Sequence, residues 1–162
     1  LTSNLVVPDE NTSAIQVGSD NVGIDLNDFT IRGPVICSGT PTACTPNTGT
    51  GSGVERTSNS VPGTYVSHGS IRGMGSNGVQ LGVQAEVTNV RVRSNRLVGI
   101  QTGSGSAVLG NTVRIKSGFG LNLGSESSYR ENVVTSNTGG TVNGTSLGNL
   151  GNNACNGSSV CP

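Results

Sequence analysis

Gly78-Val79-Gln80-Leu81-Gly82 returns as Gly99-Ile100-Gln101-Thr102-Gly103, then as Gly120-Leu121-Asn122-Leu123-Gly124 and Gly140-Thr141-Val142-Asn143-Gly144, each step about 21 residues and the last one shorter by one. A second marker keeps the same beat: Asn89, Asn111, Asn132 and Asn153 follow one another at that interval, the first step being longer by one. Two markers sharing one period identify a repeat protein. Within each phrase apolar and polar residues alternate, Val79 and Leu81 against Gln80, which is the two-residue period of a strand with one buried face. Three short strands and three turns fit into about 21 residues, and stacking such coils sets each strand about 4.8 Å from its counterpart in a parallel ladder. The recurring glycines are expected at the bends, where positive φ is needed and glycine reaches it without steric cost. The Asn column is expected at an inward corner, each amide donating to one neighbouring coil and accepting from the other.

Composition agrees. Only 31% of residues are apolar and 2% aromatic, thin for a single globular core, while glycine reaches 26 residues. A solenoid tolerates this because each coil buries a narrow stripe against its neighbours. A leucine-rich repeat is excluded by the missing leucine consensus and helical segments. The reading is an all-β chain in one domain, residues 1–162, folded as a right-handed parallel β-helix, the hand resting on the general crossover preference.

Residues 33–53 break the rhythm. They are rich in Gly, Thr, Ser and Pro, and they delay the next phrase-like segment, Gly53-Val54-Glu55-Arg56-Thr57, to nearly two coil lengths after Ala14. The spacing predicts one coil plus an inserted surface loop at 34–52. Cys37 and Cys44 lie inside it, and Cys155 and Cys161 fall in a C-terminal turn or cap at 145–162. Four cysteines allow three connectivities, and closeness in sequence favours the two local pairs. Spacings other than CxxC and a single histidine argue against a metal site, and no cofactor is expected. Disulfides imply an oxidising, secreted or cell-surface setting. The chain starts at Leu1 in strand-like sequence with no visible signal peptide, as a processed chain or a fragment would.

Asp20-Asn21-Val22-Gly23-Ile24-Asp25-Leu26-Asn27-Asp28-Phe29-Thr30-Ile31 resembles the opening coil of secreted bacterial right-handed parallel β-helix repeat proteins, relatives of the pectate-lyase-like superfamily. Those proteins commonly carry Gly where this chain has Asp28. The resemblance implies a scaffold and no single activity. Arg114-Ile115-Lys116 matches the Arg-Ile-Lys signature of polygalacturonases, and Ser67-His68-Gly69 partly matches their Gly-His-Gly. Those enzymes also need closely placed aspartates, and no aspartate follows Asp28. A lyase would need clustered carboxylates for calcium and a cation as base; Asp25 and Asp28 share a coil, but the next cations in sequence are Arg32 and Arg56. His68 reads as a turn or surface residue.

The neutral net charge conceals an asymmetry. Residues 1–31 hold five carboxylates, Asp9, Glu10, Asp20, Asp25 and Asp28, and no cation; residues 87–125 hold five cations, Arg91, Arg93, Arg96, Arg114 and Lys116, and no carboxylate. Strand alternation places Arg91, Arg93, Arg114 and Lys116 outward on one face with Arg96 nearby; the first reading is a solvated face, and the alternative is electrostatic binding of an acidic polysaccharide. Nucleic acid is disfavoured because aromatic interleaving is missing. Ice binding would need a regular threonine ladder, and the phrases supply only Thr102 and Thr141. Asn11-Thr12-Ser13, Asn143-Gly144-Thr145 and Asn156-Gly157-Ser158 fit the glycosylation pattern, weakly in so Asn-rich a chain.

A β-helix exposes strand edges at its ends unless something covers them. With no amphipathic helix before the first strand, the five carboxylates form a candidate assembly surface for head-to-tail contact, which does not close and so builds a filament; the alternative is a cap in a missing N-terminal segment. The expected function is a non-catalytic structural or adhesive module that self-associates or meets other surface components. A polysaccharide-binding or polysaccharide-degrading β-helix, or a phage tailspike fragment, is the alternative.

Overall fold

The computed structural model describes residues 1–58, 61–158 and 161, with the side chains of 115 and 116 left aside. It is a parallel β-solenoid, all-β, with three strand-bearing faces. The first face stacks Ile15–Val17, Val54–Arg56, Val79–Gln80, Ile100–Thr102, Phe119–Leu123 and Gly140–Asn143 as one six-stranded sheet. The second face carries Gly23–Asp25, the start of Tyr65–Arg72, the start of Glu86–Arg93, Ala107–Leu109, Ser128–Arg130 and Gly148–Asn149. The third carries Leu5–Val6, Thr30–Arg32, the ends of Tyr65–Arg72 and Glu86–Arg93, Thr112–Lys116, Val133–Asn137 and Ala154–Cys155.

Tyr65–Arg72 and Glu86–Arg93 run through the corner between the second and third faces, and one left-handed residue makes the turn. His68 (φ 50°) and Asn89 (φ 54°) hold it, as Asp28, Gly110 and Glu131 do in neighbouring coils. Val87 and Val90 are both buried although their offset in sequence is odd, so the alternation is reset at this corner. The core is a set of stacked columns: Val54, Val79, Ile100, Leu121 and Val142; Val66, Val87, Val108 and Tyr129; Ile31, Ile71, Val92, Val113, Val134 and Cys155.

The glycine expectation needs correcting. The first glycines of the regular phrases, Gly78, Gly99 and Gly120, are absent from the positive-φ positions. Their reason is close approach: a Cβ would lie 2.2 Å from Val92 Cγ1 at Gly78, 2.3 Å from Val113 Cγ1 at Gly99 and 2.2 Å from Val134 Cγ1 at Gly120. In the last phrase Val142 pairs with Leu121, so Thr141, and not Gly140, stands opposite Gly120. The phrase has slipped by one position there, which is why its last step is shorter.

Asn111, Asn132 and Asn153 are buried and form a continuous ladder. Asn132 Oδ1 accepts from Asn111 N at 2.9 Å and from Asn111 Nδ2 at 3.1 Å, while Asn132 Nδ2 donates to Val108 O at 2.8 Å. Asn153 repeats this below, accepting from Asn132 N at 2.9 Å and Nδ2 at 3.2 Å. Asn89 does not belong. It is exposed at the left-handed corner, and Val90 N is the group that meets Asn111 Oδ1, at 2.9 Å. The longer step from Asn89 to Asn111 is therefore a register offset of one.

The insertion folds as an antiparallel hairpin of Ile36–Ser38 and Ala43–Thr45, with Cys37 opposite Cys44 and the two joined by a disulfide. A second disulfide joins Cys155 and Cys161, which are buried and finish the core at that end. No cysteine is free, and both local pairings expected from the sequence are present.

Candidate functional site

Inward residues Ile31, Ile71, Val92 and Val113 on the third face are each followed by an outward arginine. Register then stacks these cations: Arg32 pairs with Arg72, Arg72 with Arg93, and Arg93 with Arg114. One coil spacing separates neighbours, so four guanidinium stems rise from an axial row about 14 Å long. Arg91 stands in the adjacent outward column, in register with Ser70 and Thr112. Among the described residues no carboxylate lies within ion-pair distance of Arg32, Arg72, Arg91 or Arg93; the contact seen between a carboxylate and a basic side chain is His68 Nδ1 to Asp25 Oδ1, 3.5 Å.

Two shallow clefts flank the row. One, of about 260 Å³, lies between Arg32, Arg72, Arg93 and Arg114 and the leading limb of the hairpin, Pro34 to Cys37. The other, of about 380 Å³, lies on the Arg91 side and is lined by Asp28, Thr30, Ser70 and Thr112 together with Arg91, Arg93 and Arg114. Arg72 Nε is buried with no hydrogen-bond partner, an unsatisfied donor on a residue that lines the first cleft.

Of the cations expected on this face, Arg91, Arg93 and Arg114 are there. Arg96 is not: its Nε donates to Gly75 O at 2.6 Å and its Nη2 to Gly49 O at 2.9 Å, tying the end of the insertion to the solenoid. The side chain of Lys116 lies outside the described residues, though its backbone pairs with Asn137. Arg32 and Arg72 were missed because both precede the recurring glycine phrases, and Arg32 lies 40 residues from Arg72 where Arg72 lies 21 from Arg93. The recurring dipeptides Ile31-Arg32, Ile71-Arg72, Val92-Arg93 and Val113-Arg114 were the signal that could have found them.

The five carboxylates sit in different local surroundings. Asp9 caps its own turn, accepting from Asn11 N at 2.8 Å, Thr12 N at 2.9 Å and Thr12 Oγ1 at 3.0 Å. The Asn11 amide first, and then the Thr12 hydroxyl, hold its carboxyl below the usual value. Glu10 lies on the flank, where its carbonyl accepts from Gly51 N at 3.0 Å and leaves no room for a Cβ at Gly75. Asp20 is exposed before Gly23. Asp25 faces His68, and Asp28 lines the second cleft. That cleft presents a single carboxylate beside its arginines, where glycoside hydrolysis needs a pair. Among the described residues no group of three His, Cys, Asp or Glu is placed to hold a metal ion.

The first face offers a different surface. Gln16, Glu55, Gln80, Gln101, Asn122 and Asn143 stack outward in register. Several of their polar ends are engaged locally: Asn143 Nδ2 donates to Asn122 Oδ1 at 2.8 Å, Asn77 Nδ2 to Gln80 Oε1 at 2.6 Å, and Ser13 Oγ to Glu55 Oε2. An amide ladder can satisfy itself in this way, whereas stacked guanidinium groups, all donors, cannot satisfy one another. Compared with protein-family models, with curated proteins and with solved structures, the chain matches none.

Proposed function

We propose that this protein is a non-catalytic, extracellular adhesive module whose arginine row binds a linear acidic polysaccharide. One observation carries the reading: four arginines stack in register in one outward column, and among the described residues Arg32, Arg72 and Arg93 have no carboxylate near enough to pair. Like charges one coil apart repel by roughly 1 kcal/mol per pair even in a water-like dielectric. A polymer bearing one carboxylate per sugar, at a repeat comparable to the coil spacing, relieves that repulsion rung by rung and forms charge-assisted hydrogen bonds to the guanidinium forks. A polysaccharide fits better than nucleic acid because neither cleft is lined by an aromatic side chain on which bases would stack. Two disulfides favour an oxidising compartment, and among the described residues no helix is long and apolar enough to cross a membrane.

The test is binding of hexagalacturonate by calorimetry at low salt, beside an assay for new reducing or unsaturated ends. Arg93→Ala is expected to weaken binding about tenfold, roughly 1.4 kcal/mol. Arg130→Ala makes the same charge change on the second face and is expected to leave binding unaltered. Equal losses in both variants would contradict a localised site. Polymer cleavage abolished by Asp28→Asn would replace the adhesive reading with an enzymatic one.

Head-to-tail self-association is the second reading. Ile15–Val17 and Gly140–Asn143, the outermost strands of the first face, each pair on one side only among the described residues. Fibres with a regular axial repeat in electron microscopy of a dilution series would support it, and monodisperse particles throughout would remove it.

A further inference from the structure

The inserted hairpin does more than project from a corner. Its base is anchored where Gly33 N donates to Arg72 O at 2.9 Å and Val35 N to Gly73 O at 2.8 Å. Its tip is anchored where Thr42 N donates to Thr138 Oγ1 at 3.1 Å. Gly73 and Thr138 belong to coils three steps apart, so the hairpin lies along the solenoid axis like a strap. Val35, Cys37 and Cys44 form a small buried cluster on its inner side, and Ile36 is 72% exposed on its outer side. The Cys37–Cys44 disulfide crosses between its two strands and holds them together between the anchors.

We propose that this strap is the specificity wall of the arginine cleft, restricting it to one extended polyanionic chain that runs along the solenoid axis. The inference rests on the polyanion-binding reading above and adds the direction and the cross-section of the ligand. The arginine row is axial, the strap runs beside it, and the cleft between them holds about 260 Å³. A single sugar chain entering from the open side keeps every carboxylate over one guanidinium, with the partnerless Arg72 Nε inside the line. A duplex carries two backbones on a stiff rod with a persistence length of about 150 base pairs, and it does not flatten to reach arginines beneath a wall. Without the strap the same row would be an open cationic face, attractive to any polyanion. The strap therefore converts a charge pattern into a shape requirement, which is how rejection of a wrong partner is built.

The experiment compares hexagalacturonate with a short DNA duplex of about one helical turn, both labelled, by fluorescence anisotropy at one ionic strength on the intact disulfide-bonded protein. It is repeated on Thr138→Val, which removes the tip anchor, and on the Cys37→Ser/Cys44→Ser double variant. The intact protein is expected to bind the hexamer at least tenfold more tightly than the duplex. Both variants are expected to raise duplex affinity about tenfold while hexamer affinity stays within about threefold. Circular dichroism checks the fold; Thr138→Val removes one surface hydrogen bond and decides the matter if the cysteine variant does not fold. A hexamer-to-duplex ratio unchanged in the variants overturns the wall while leaving polysaccharide binding standing. Binding of neither probe by the intact protein overturns the underlying reading and the wall with it.

Discussion

The coils from Tyr65 to Cys155 and those from Leu1 to Thr57 obey the same parallel pairing but not the same period. In the first group, hydrogen-bonded counterparts recur 21 residues apart, as in Val90 to Asn111 and Asn111 to Asn132. In the second they lie 26, 39 and 40 residues apart, as in Thr30 to Asn4, Ser52 to Ser13 and Thr57 to Val17. A strand pairs with its neighbour whatever length of chain returns it, because loop closure grows only slowly with length. A buried polar ladder is less tolerant, since every rung must present the same residue at the same place. Accordingly the Asn ladder occupies only the regular coils. Above it the column continues as Val90 and Gly69, and Leu26 fills the space beside Gly69, where a Cβ would lie 2.4 Å from Leu26 Cβ. The irregular coils hold the strap and the cleft edge instead.

The sharpest way to break this comparison is to remove a rung. Asn132→Ala strips the acceptor from Asn111 N and Nδ2 and the donor from Val108 O, and is expected to lower stability by about 3 kcal/mol in urea unfolding. Asn89→Gly alters the residue that shares the sequence rhythm but not the ladder, and relieves its left-handed backbone; it is expected to be neutral or mildly stabilising. Similar losses in the two variants would contradict this register.

Next in size is the glycine pair. Gly99→Ala forces a Cβ to within 2.3 Å of Val113 Cγ1 and 2.5 Å of Gly120 O, and is expected to destabilise by about 2 kcal/mol. Gly23→Ala in the first coils meets nothing within 4 Å and is expected to change stability by no more than about 0.5 kcal/mol. Thermal melts of the two variants side by side check whether close approach, and not bending, explains the repeated glycines.

The smallest effects are in the pH limbs, one from each region. Burial pushes the Tyr129 phenol above its ordinary value, partly countered by its hydrogen bond with Asn149. Its contribution is complete below the unfolded value of 10.0 and is lost as pH rises toward the folded value. In the irregular region the Asp9 carboxyl is depressed, so its contribution is present above 3.8 and is lost as pH falls through the folded value. Tyr129→Phe is expected to flatten the alkaline limb of a stability profile and Asp9→Asn the acid limb. Unchanged limbs would remove these two groups from the titration.

The architecture was legible because a period of about 21 residues is a statement about coil length, and coil length fixes how many strands one turn can hold. Finer placement was legible only where that period is unbroken. Asn89 and the Gly140 phrase each deviate by one position, and a slip of one in a strand moves a side chain to the other face. The strap was hidden because Ile36–Ser38 and Ala43–Thr45 are short and bounded by Pro34 and Pro46, leaving too little alternation to register. Arg32 and Arg72 were overlooked for a related reason: nearly two coil lengths of sequence separate them from each other, and a single coil length separates Arg72 from Arg93, so no one spacing gathers all four arginines. Three-dimensional register, not sequence distance, makes them one row.

The most direct test of that site is a length series. Galacturonate oligomers of two to eight sugars, titrated calorimetrically at fixed low salt, should gain affinity with each added sugar up to about four and then level off, because the row holds four arginines at one per coil. Affinity that is absent, or that is independent of length from the shortest oligomer onward, would contradict a ladder that reads one carboxylate per rung.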